Sequence, residues 1–499
     1  MYKCHKCEKE TIFSVCENCD KKTNKLYCCK ICGLLDKNEC AKHGKIGAFK
    51  QQDINIKIYF ENFLKKLNLN SFPDLIKGVR GTSNKDHTPE HLIKGILRAK
   101  SDIYVNKDGT TRYDMTQLPI THFKPKEINV SPEKLREMGY VEDIHGKELQ
   151  NNDQVLEIKP QDIILPSCDE SPELGADKIL YNIGLFIDDL LVRFYGLDSF
   201  YNFKSEEDVV GSLVVALAPH ISAGIIGRVI GFSKTQGFFA HPMFHAATRR
   251  DCDGDEASVM MLMDVLLNFS RRFLPDTRGS TQDAPLVLSS RIIPAEVDDM
   301  VSDLDVVWRY PLEFYESCLN FKQPWEIKIE QFGNNLNTEK QYKGLGYTHS
   351  VDNLNLGVRC SAYKTLPSME EKLKGQMLLA DRIRAVDAPH VARLVIEKHF
   401  LRDIKGNLRK FSMQQFRCVN CNEKYRRPPL SGKCLKCSGN IIFTISEGSI
   451  IKYLEPAISL AEKYNLPPYL MQTLELTRRN IESIFGKEKE KQIGLGKWF

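Results

Sequence analysis

The chain of 499 residues is long enough for roughly three or four domains, and 42% hydrophobic against 27% charged residues can bury sizeable cores, which argues against a disordered protein. A formal net charge of +5 neither demands nor excludes nucleic acid, because local clustering of basic residues decides that. No apolar run reaches about 18 residues without polar interruption, and the chain opens on cysteines and lysines, so neither a membrane span nor a signal segment is expected.

Sixteen cysteines could belong to a secreted disulfide scaffold, but their spacing suits metal binding in a reducing compartment. Residues 1–45 read as paired knuckles. Cys4-x2-Cys7 with Cys16-x2-Cys19 predicts one tetrahedral zinc site. Cys29-x2-Cys32 with Cys40-x2-His43 predicts a second, in which Cys28 could replace Cys29. Segments this small cannot otherwise bury enough apolar surface to order themselves, so the metal is expected to be structural.

Residues 46–170 read as a mixed α/β connecting region, with short strands around Asp102 to Thr111 and a proline-punctuated stretch that carries the basic pair Lys124 and Lys126. An apolar helical period from Ala176 to Tyr195 opens the region 171–347. There, Asp251, Asp253 and Asp255 alternate behind Arg249 and Arg250. In extended or looped backbone, alternate side chains point the same way, so the three carboxylates can converge while Cys252 and Gly254 face away.

Such convergence is electrostatically costly unless cations neutralise it, and hard ions such as Mg²⁺ take oxygen ligands. Two Mg²⁺ ions roughly 3.5–4 Å apart can clamp the attacking and leaving oxygens of an in-line displacement on phosphate. Arg249 and Arg250 are placed to neutralise a triphosphate or a template backbone. An EF-hand calcium loop needs Gly at its sixth position and Glu at its twelfth, where this chain has Glu256 and Leu262. A merely solvated turn is disfavoured by the apolar lead-in Leu213 to Ile230 and by an apolar run read as helix from Val259 to Phe273.

Residues 348–410 are expected to be helical, and 411–446 to form a zinc ribbon on Cys418-x2-Cys421 and Cys434-x2-Cys437, which brings the zinc count to about three. The ribbon carries a basic cluster, Lys424, Arg426 and Arg427, suited to phosphate contacts. Residues 447–488 read as a C-terminal helical region, in which Leu454 to Ile484 is helix broken at Pro467-Pro468. In the tail, residues 489–499, Gln492, Leu495, Trp498 and Phe499 resemble the motif by which replication proteins engage the sliding clamp PCNA. A single turn would make Leu495, Trp498 and Phe499 one apolar plug beside the Gln492 amide.

Several stretches together resemble a known family. His245-Ala246-Ala247 through Asp253-Gly254-Asp255-Glu256, Asp283-Ala284-Pro285-Leu286-Val287-Leu288, Arg112-Tyr113-Asp114-Met115-Thr116 and Pro119-Ile120-Thr121-His122-Phe123 are similar to the large subunit of the archaeal family D DNA polymerase. Lys424-Tyr425-Arg426-Arg427-Pro428-Pro429 and Tyr453-Leu454-Glu455-Pro456 continue the likeness downstream. The resemblance implies an α+β multidomain chain whose catalytic region, 171–347, is a double-psi β-barrel. The family's metal-binding aspartates fall on Asp253 and Asp255, and it usually has Asn where this chain has Asp251.

The family's large subunit is much longer, and its first catalytic barrel has no counterpart here. The resemblance therefore implies the C-terminal portion of a large subunit. It would work with the N-terminal portion as a separate chain, the small exonuclease subunit, primer–template DNA, dNTPs and PCNA, in the cytoplasm at the nucleoid. Two other readings stay open at this point: an RNA polymerase-like nucleotidyltransferase, and an inactive zinc-bearing module that bridges clamp and DNA.

Overall fold

The computed structural model describes residues 1–69, 73–79, 87–219, 221, 223–250, 252, 254–270, 272, 286–346, 353–359, 365–442 and 447–485. It comprises two compact units, 1–360 and 361–499, each with its own apolar core.

The first unit is built on a closed ring of strands. β1 (Tyr113–Pro119), β2 (Asp162–Pro166), β3 (Leu213–Leu217), β4 (Ala223–Ser233), β5 (Gly237–Ala240) and β6 (Glu256–Met261) follow one another around it as β1-β6-β3-β4-β2-β5 and back to β1. Pairs β2–β4 and β5–β1 are parallel, and the remaining four are antiparallel. Closure leaves the ring no open edge. β4 spans 11 residues, which lets it pair with β3 through its first half and β2 through its second. A short strand, β7 (Val287–Ser289), adds in parallel outside the ring on the start of β4.

The ring draws β1 and β2 from upstream of residue 171, where the sequence places the start of the catalytic region. Asp102 to Thr111, expected as short strands, is an irregular loop: Asn106 N–H donates to Thr110 O at 2.8 Å, and Asp108 Oδ1 accepts from Thr110 N at 2.9 Å. The apolar run from Val259, expected as helix, is instead the strand β6 followed by helix α5 (Leu262–Asn268). Ala257, Val259 and Met261 face the main core while Met260 packs with Val215 and Leu217 on the other side. A strand buried on both faces carries no alternation that would separate it from helix.

Helices α1 (Ile56–Leu67), α2 (Leu92–Lys100) and α3 (Ala176–Leu190) supply the main core's other wall. Leu180, Ile183, Phe186, Ile187 and Leu190 form the helical stripe expected from the sequence, and they are buried. The short helix α4 (Pro242–Ala247) lies in the chain just ahead of β6, and α6 (Leu312–Leu319) lies beyond the ring.

In the second unit, α7 (Met369–Arg382), α8 (Ala388–Leu394) and α9 (Leu401–Met413) share one core with α10 (Leu454–Lys463) and α11 (Pro468–Phe485). The chain breaks between α10 and α11 at the proline pair, as expected. Between the two sets of helices, strand Phe416–Cys418 pairs with Lys424–Tyr425 and Ile441–Ile442 as a small ribbon. Among the described residues no helix is long and apolar enough to cross a membrane.

Candidate active site

The acidic turn joins α4 to β6. His241 caps the start of α4 through its ring nitrogen, which accepts from Met243 N at 3.1 Å, and Pro242 at the first turn needs no donor there. At the other end Thr248 Oγ1 donates to His245 O at 2.6 Å, and Arg249 takes φ +64°, which stops the helix. Cys252 at φ +67° and Gly254 at φ +102° complete a turn with left-handed backbone at three nearby positions. Only glycine adopts such backbone at no steric cost, so Gly254 meets the φ +102° that the turn requires there. Cys252 is buried, with Sγ 3.7 Å from Pro242 O, so it does turn away from the surface.

Asp255 stands at the head of β6, partly exposed. Its carbonyl accepts from Gln117 N at 2.9 Å, and its Oδ2 accepts from Arg250 Nη1 at 3.2 Å. Arg250 Nε is a buried donor with no hydrogen-bond partner among the described residues. Arg249 is exposed. Asp251 and Asp253 lie outside the described residues. Among the described residues of the turn, one carboxylate and one arginine therefore face each other as an ion pair.

Behind the turn the scaffold is polar and only partly satisfied: among the described residues Gln117 Oε1, His241 Nε2 and His245 Nδ1 are buried without a hydrogen-bond partner. Gln117 Nε2 donates to Thr248 Oγ1 at 2.9 Å, so β1 grips both ends of the turn. His245 Nε2 lies 3.2 Å from Leu118 O. Burial lowers the pKa of His241 to about 3 and that of His245 to about 4, which keeps both imidazoles neutral at physiological pH. At the mouth of β1, Arg98 of α2 makes two 2.7 Å bonds to Glu90 and a 2.9 Å bond to Gly109 O, all buried. A buried ion pair of this kind is tolerated because carboxylate and carbonyl oxygens take up both terminal nitrogens of the guanidinium, although Nε has no partner among the described residues. Asp264 of α5 accepts from Thr111 N and Asn268 Nδ2, each at 2.7 Å, and burial lifts its pKa to about 6.

The sequence did not single out Gln117, Glu90, Arg98 or Asp264. The signal available was a polar residue inside an apolar run, as in Leu262-Met263-Asp264-Val265, where burial demands a partner.

All three thiol-rich clusters assemble. The ligand atoms of Cys4, Cys7, Cys16 and Cys19 lie within 4.8 Å of one another, and so do those of Cys29, Cys32, Cys40 and His43 and of Cys418, Cys421, Cys434 and Cys437. His43 Nδ1 sits 3.3–3.5 Å from the Sγ atoms of Cys29, Cys32 and Cys40. Cys28 Sγ lies 3.9 Å from Cys29 O instead, so Cys29 is the one of the two that joins the cluster. Main-chain N–H groups, foremost that of Cys7, pull the Cys4 thiol down to about 6, and the Tyr425 hydroxyl does the same for Cys434. Four soft ligands in tetrahedral reach fit Zn²⁺ and leave no open position for water.

The other basic residues fall in separate stretches of the chain. Lys126 Nζ is paired with Asp153 Oδ1 at 2.5 Å, and the Lys124 main-chain N–H donates to Glu127 Oε2 at 2.8 Å. Lys424, Arg426 and Arg427 are exposed on the ribbon of the second unit. The clamp-motif residues Gln492, Leu495, Trp498 and Phe499 lie outside the described residues.

Comparison with known proteins matches residues 69–372 to a family model described as the catalytic domain of the DNA polymerase II large subunit DP2. The chain is 48% identical over 497 residues to the DNA polymerase II large subunit of Archaeoglobus fulgidus, covering 99% of this chain and 43% of that protein. It is 45% identical over 536 residues to that of Nanoarchaeum equitans, covering 98% of this chain and 43% of the relative. It is 47% identical over 495 residues to that of Pyrococcus furiosus, covering 97% and 39%. The chain thus spans less than half the length of the curated relatives it matches.

Proposed function

Because the chain belongs to the family of the DNA polymerase II large subunit DP2 catalytic domain, we propose that it carries the metal-binding half of a DNA-directed DNA polymerase centre. The observation that carries this reading is the anchored turn, with Asp255 held at the head of β6 by Gln117 N and facing Arg250. Asp253 and Asp255, joined by Asp251, would hold Mg²⁺. That ion supplies charge neutralisation and activation of a hydroxyl for in-line phosphoryl transfer. Asp255 fixes one ligand position through its backbone, and Arg249 and Arg250 orient the triphosphate of the incoming dNTP or the template backbone. The primer 3′-hydroxyl then forms a bond to the α-phosphate as pyrophosphate leaves.

A closed ring of six strands mixing parallel and antiparallel pairs supports reading the barrel as a double-psi barrel. The length of the relatives supports a centre completed by further polypeptide: the N-terminal portion of the large subunit, with a small exonuclease subunit and PCNA joining through other surfaces. The three clusters support structural zinc, and Lys124, Lys424, Arg426 and Arg427 are the proposed phosphate contacts outside the turn, with Lys126 available once released from Asp153. Such an enzyme works in the cytoplasm at the nucleoid.

The test is primer extension by the reconstituted subunits with dNTPs or rNTPs and Mg²⁺. Extension with dNTPs is expected. Preference for rNTPs would overturn the polymerase assignment in favour of an RNA polymerase-like enzyme, and silence of the complete assembly would favour an assembly module.

A further inference from the structure

Helix α9 carries a row of like charges that its own unit leaves uncompensated. Residues 401–436, which run from α9 through most of the ribbon, hold ten Lys and Arg against two carboxylates, a formal +8 in a chain whose total is +5. All ten basic residues are exposed. Both carboxylates are taken: Asp403 lies 3.7 Å from His399 Nδ1, and Glu423 pairs with Lys436 at 3.1 Å. None of the other nine basic residues has an ion pair among the described residues. On α9, Arg402, Lys405 and Arg409 stand at i, i+3 and i+7, within about 60° of one another around the helix axis. Like charges at these spacings repel and weaken a helix. Helix α11 shows how such charges are otherwise accommodated: Arg479 pairs with Glu475 at 3.0 Å and Arg478 with Glu482 at 3.4 Å, each one turn away. On α9 the residue one turn before Arg409 is Lys405, and the residue one turn after Arg402 is Gly406. The apolar stripe of the helix is spent on its own unit, with Leu401 and Ile404 buried and Leu408 and Phe411 packed against the same core, so no apolar face is left for a lipid surface.

We propose that Arg402, Lys405 and Arg409 form a docking face for the phosphate backbone of duplex DNA, carried by the second unit and distinct from the acidic turn of the first. Charge complementarity favours that occupant. Three cations over seven residues of helix span about 10 Å, a length in which one strand of a duplex presents about three phosphates. Each cation that neutralises a phosphate releases a counterion, so the face adds affinity without reading sequence, and the bound polyanion removes the repulsion within the row. The row extends the phosphate contacts proposed for Lys424, Arg426 and Arg427, which belong to the same compact unit. The choice of DNA over RNA rests on the polymerase reading above.

The experiment measures binding of the full chain to a labelled duplex primer–template by fluorescence anisotropy over about 50 to 200 mM salt. It compares wild type with the triple variant Arg402→Gln, Lys405→Gln, Arg409→Gln. Each phosphate contact contributes about 0.9 to the slope of log affinity against log salt, so the variant's slope is expected to be shallower by about 2.7, with affinity at least about 10-fold lower at the low-salt end. The double variant Arg402→Lys, Arg409→Lys keeps the charges and is expected to keep the slope. Zinc content and thermal midpoint of the triple variant should match wild type, since the three residues are exposed and unpaired; if the midpoint falls, Lys405→Gln alone carries the test, with a slope change of about 0.9. An unchanged slope in the glutamine variants would overturn the assignment. So would failure of the wild-type chain to bind the duplex, a preference for duplex RNA of the same sequence, or a loss confined to binding of a polyglutamate peptide, which would give the face to an acidic protein. Primer extension by the complete assembly separates the two claims. A wild-type assembly that binds DNA with the full slope but cannot extend contradicts the polymerase reading alone, whereas extension together with an unchanged slope in the triple variant contradicts only the α9 face.

Discussion

Gln117 ties the two ends of the acidic turn together: its main-chain N–H donates to Asp255 O and its side-chain amide to Thr248 Oγ1, each at 2.9 Å. The turn is thereby positioned by a strand that precedes it by more than a hundred residues in sequence. Gln117→Leu keeps the backbone bond and much of the side-chain volume but removes the grip on Thr248. Since a misplacement of about 1 Å can cost about 100-fold in rate, kcat for extension is expected to fall about 10- to 100-fold with KM for primer–template little changed. Steady-state kinetics check this, and unchanged kcat would show that the side-chain amide is dispensable to the turn.

The two buried imidazoles behind the turn set an acid limit. Their folded pKa values, about 3 for His241 and about 4 for His245, lie below the ordinary 6.5, so the unfolded chain binds more protons in the window between. Their contribution to stability is complete above about pH 6.5 and is lost as pH falls toward 4, at about 1.4 kcal/mol per pH unit for each histidine. His245→Gln retains a donor for Leu118 O and is expected to flatten the slope of unfolding free energy over that window. Urea titrations from pH 4 to 7 measure it, and an unchanged slope would place the acid sensitivity elsewhere.

Zinc analysis distinguishes adjacent cysteines. The protein is expected to hold three zinc ions, one for each thiol-rich cluster. Cys29→Ser should lose one of them, while Cys28→Ser should lose none, because Cys28 Sγ lies outside the cluster. Mass spectrometry of metal content gives the answer directly, and equal loss in both variants would mean that the two thiols exchange.

How much of this was legible in the sequence differs by kind of feature. The thiol clusters are local, so spacing alone brought Cys418, Cys421, Cys434 and Cys437 together, and only the choice between Cys28 and Cys29 needed the folded chain. Helix α3 was readable because its one buried face leaves a period. Strand β6 was not, because Ala257, Val259 and Met261 are buried on one side and Met260 on the other, which erases alternation. The partners of the acidic turn were hidden for another reason. Gln117 and Thr248 meet only once the ring closes, and no local pattern records a contact between strands distant in sequence.

The tail separates clamp use from chemistry. Trp498→Ala with Phe499→Ala is expected to abolish PCNA binding, measured by isothermal titration, while extension of short primers in the absence of clamp stays unchanged. Retained affinity would remove the tail from the clamp interface.

The most direct measurement is single-turnover primer extension with dNTPs and Mg²⁺ by the complete assembly, comparing the wild-type chain with Asp253→Asn and with Asp255→Asn. The account predicts that each variant folds, keeps its zinc and binds DNA, yet slows phosphoryl transfer by about a thousandfold or more, as loss of a principal source of transition-state charge stabilisation does. Wild-type rates in either variant would contradict the assignment of the acidic turn as the metal-binding half of the active site.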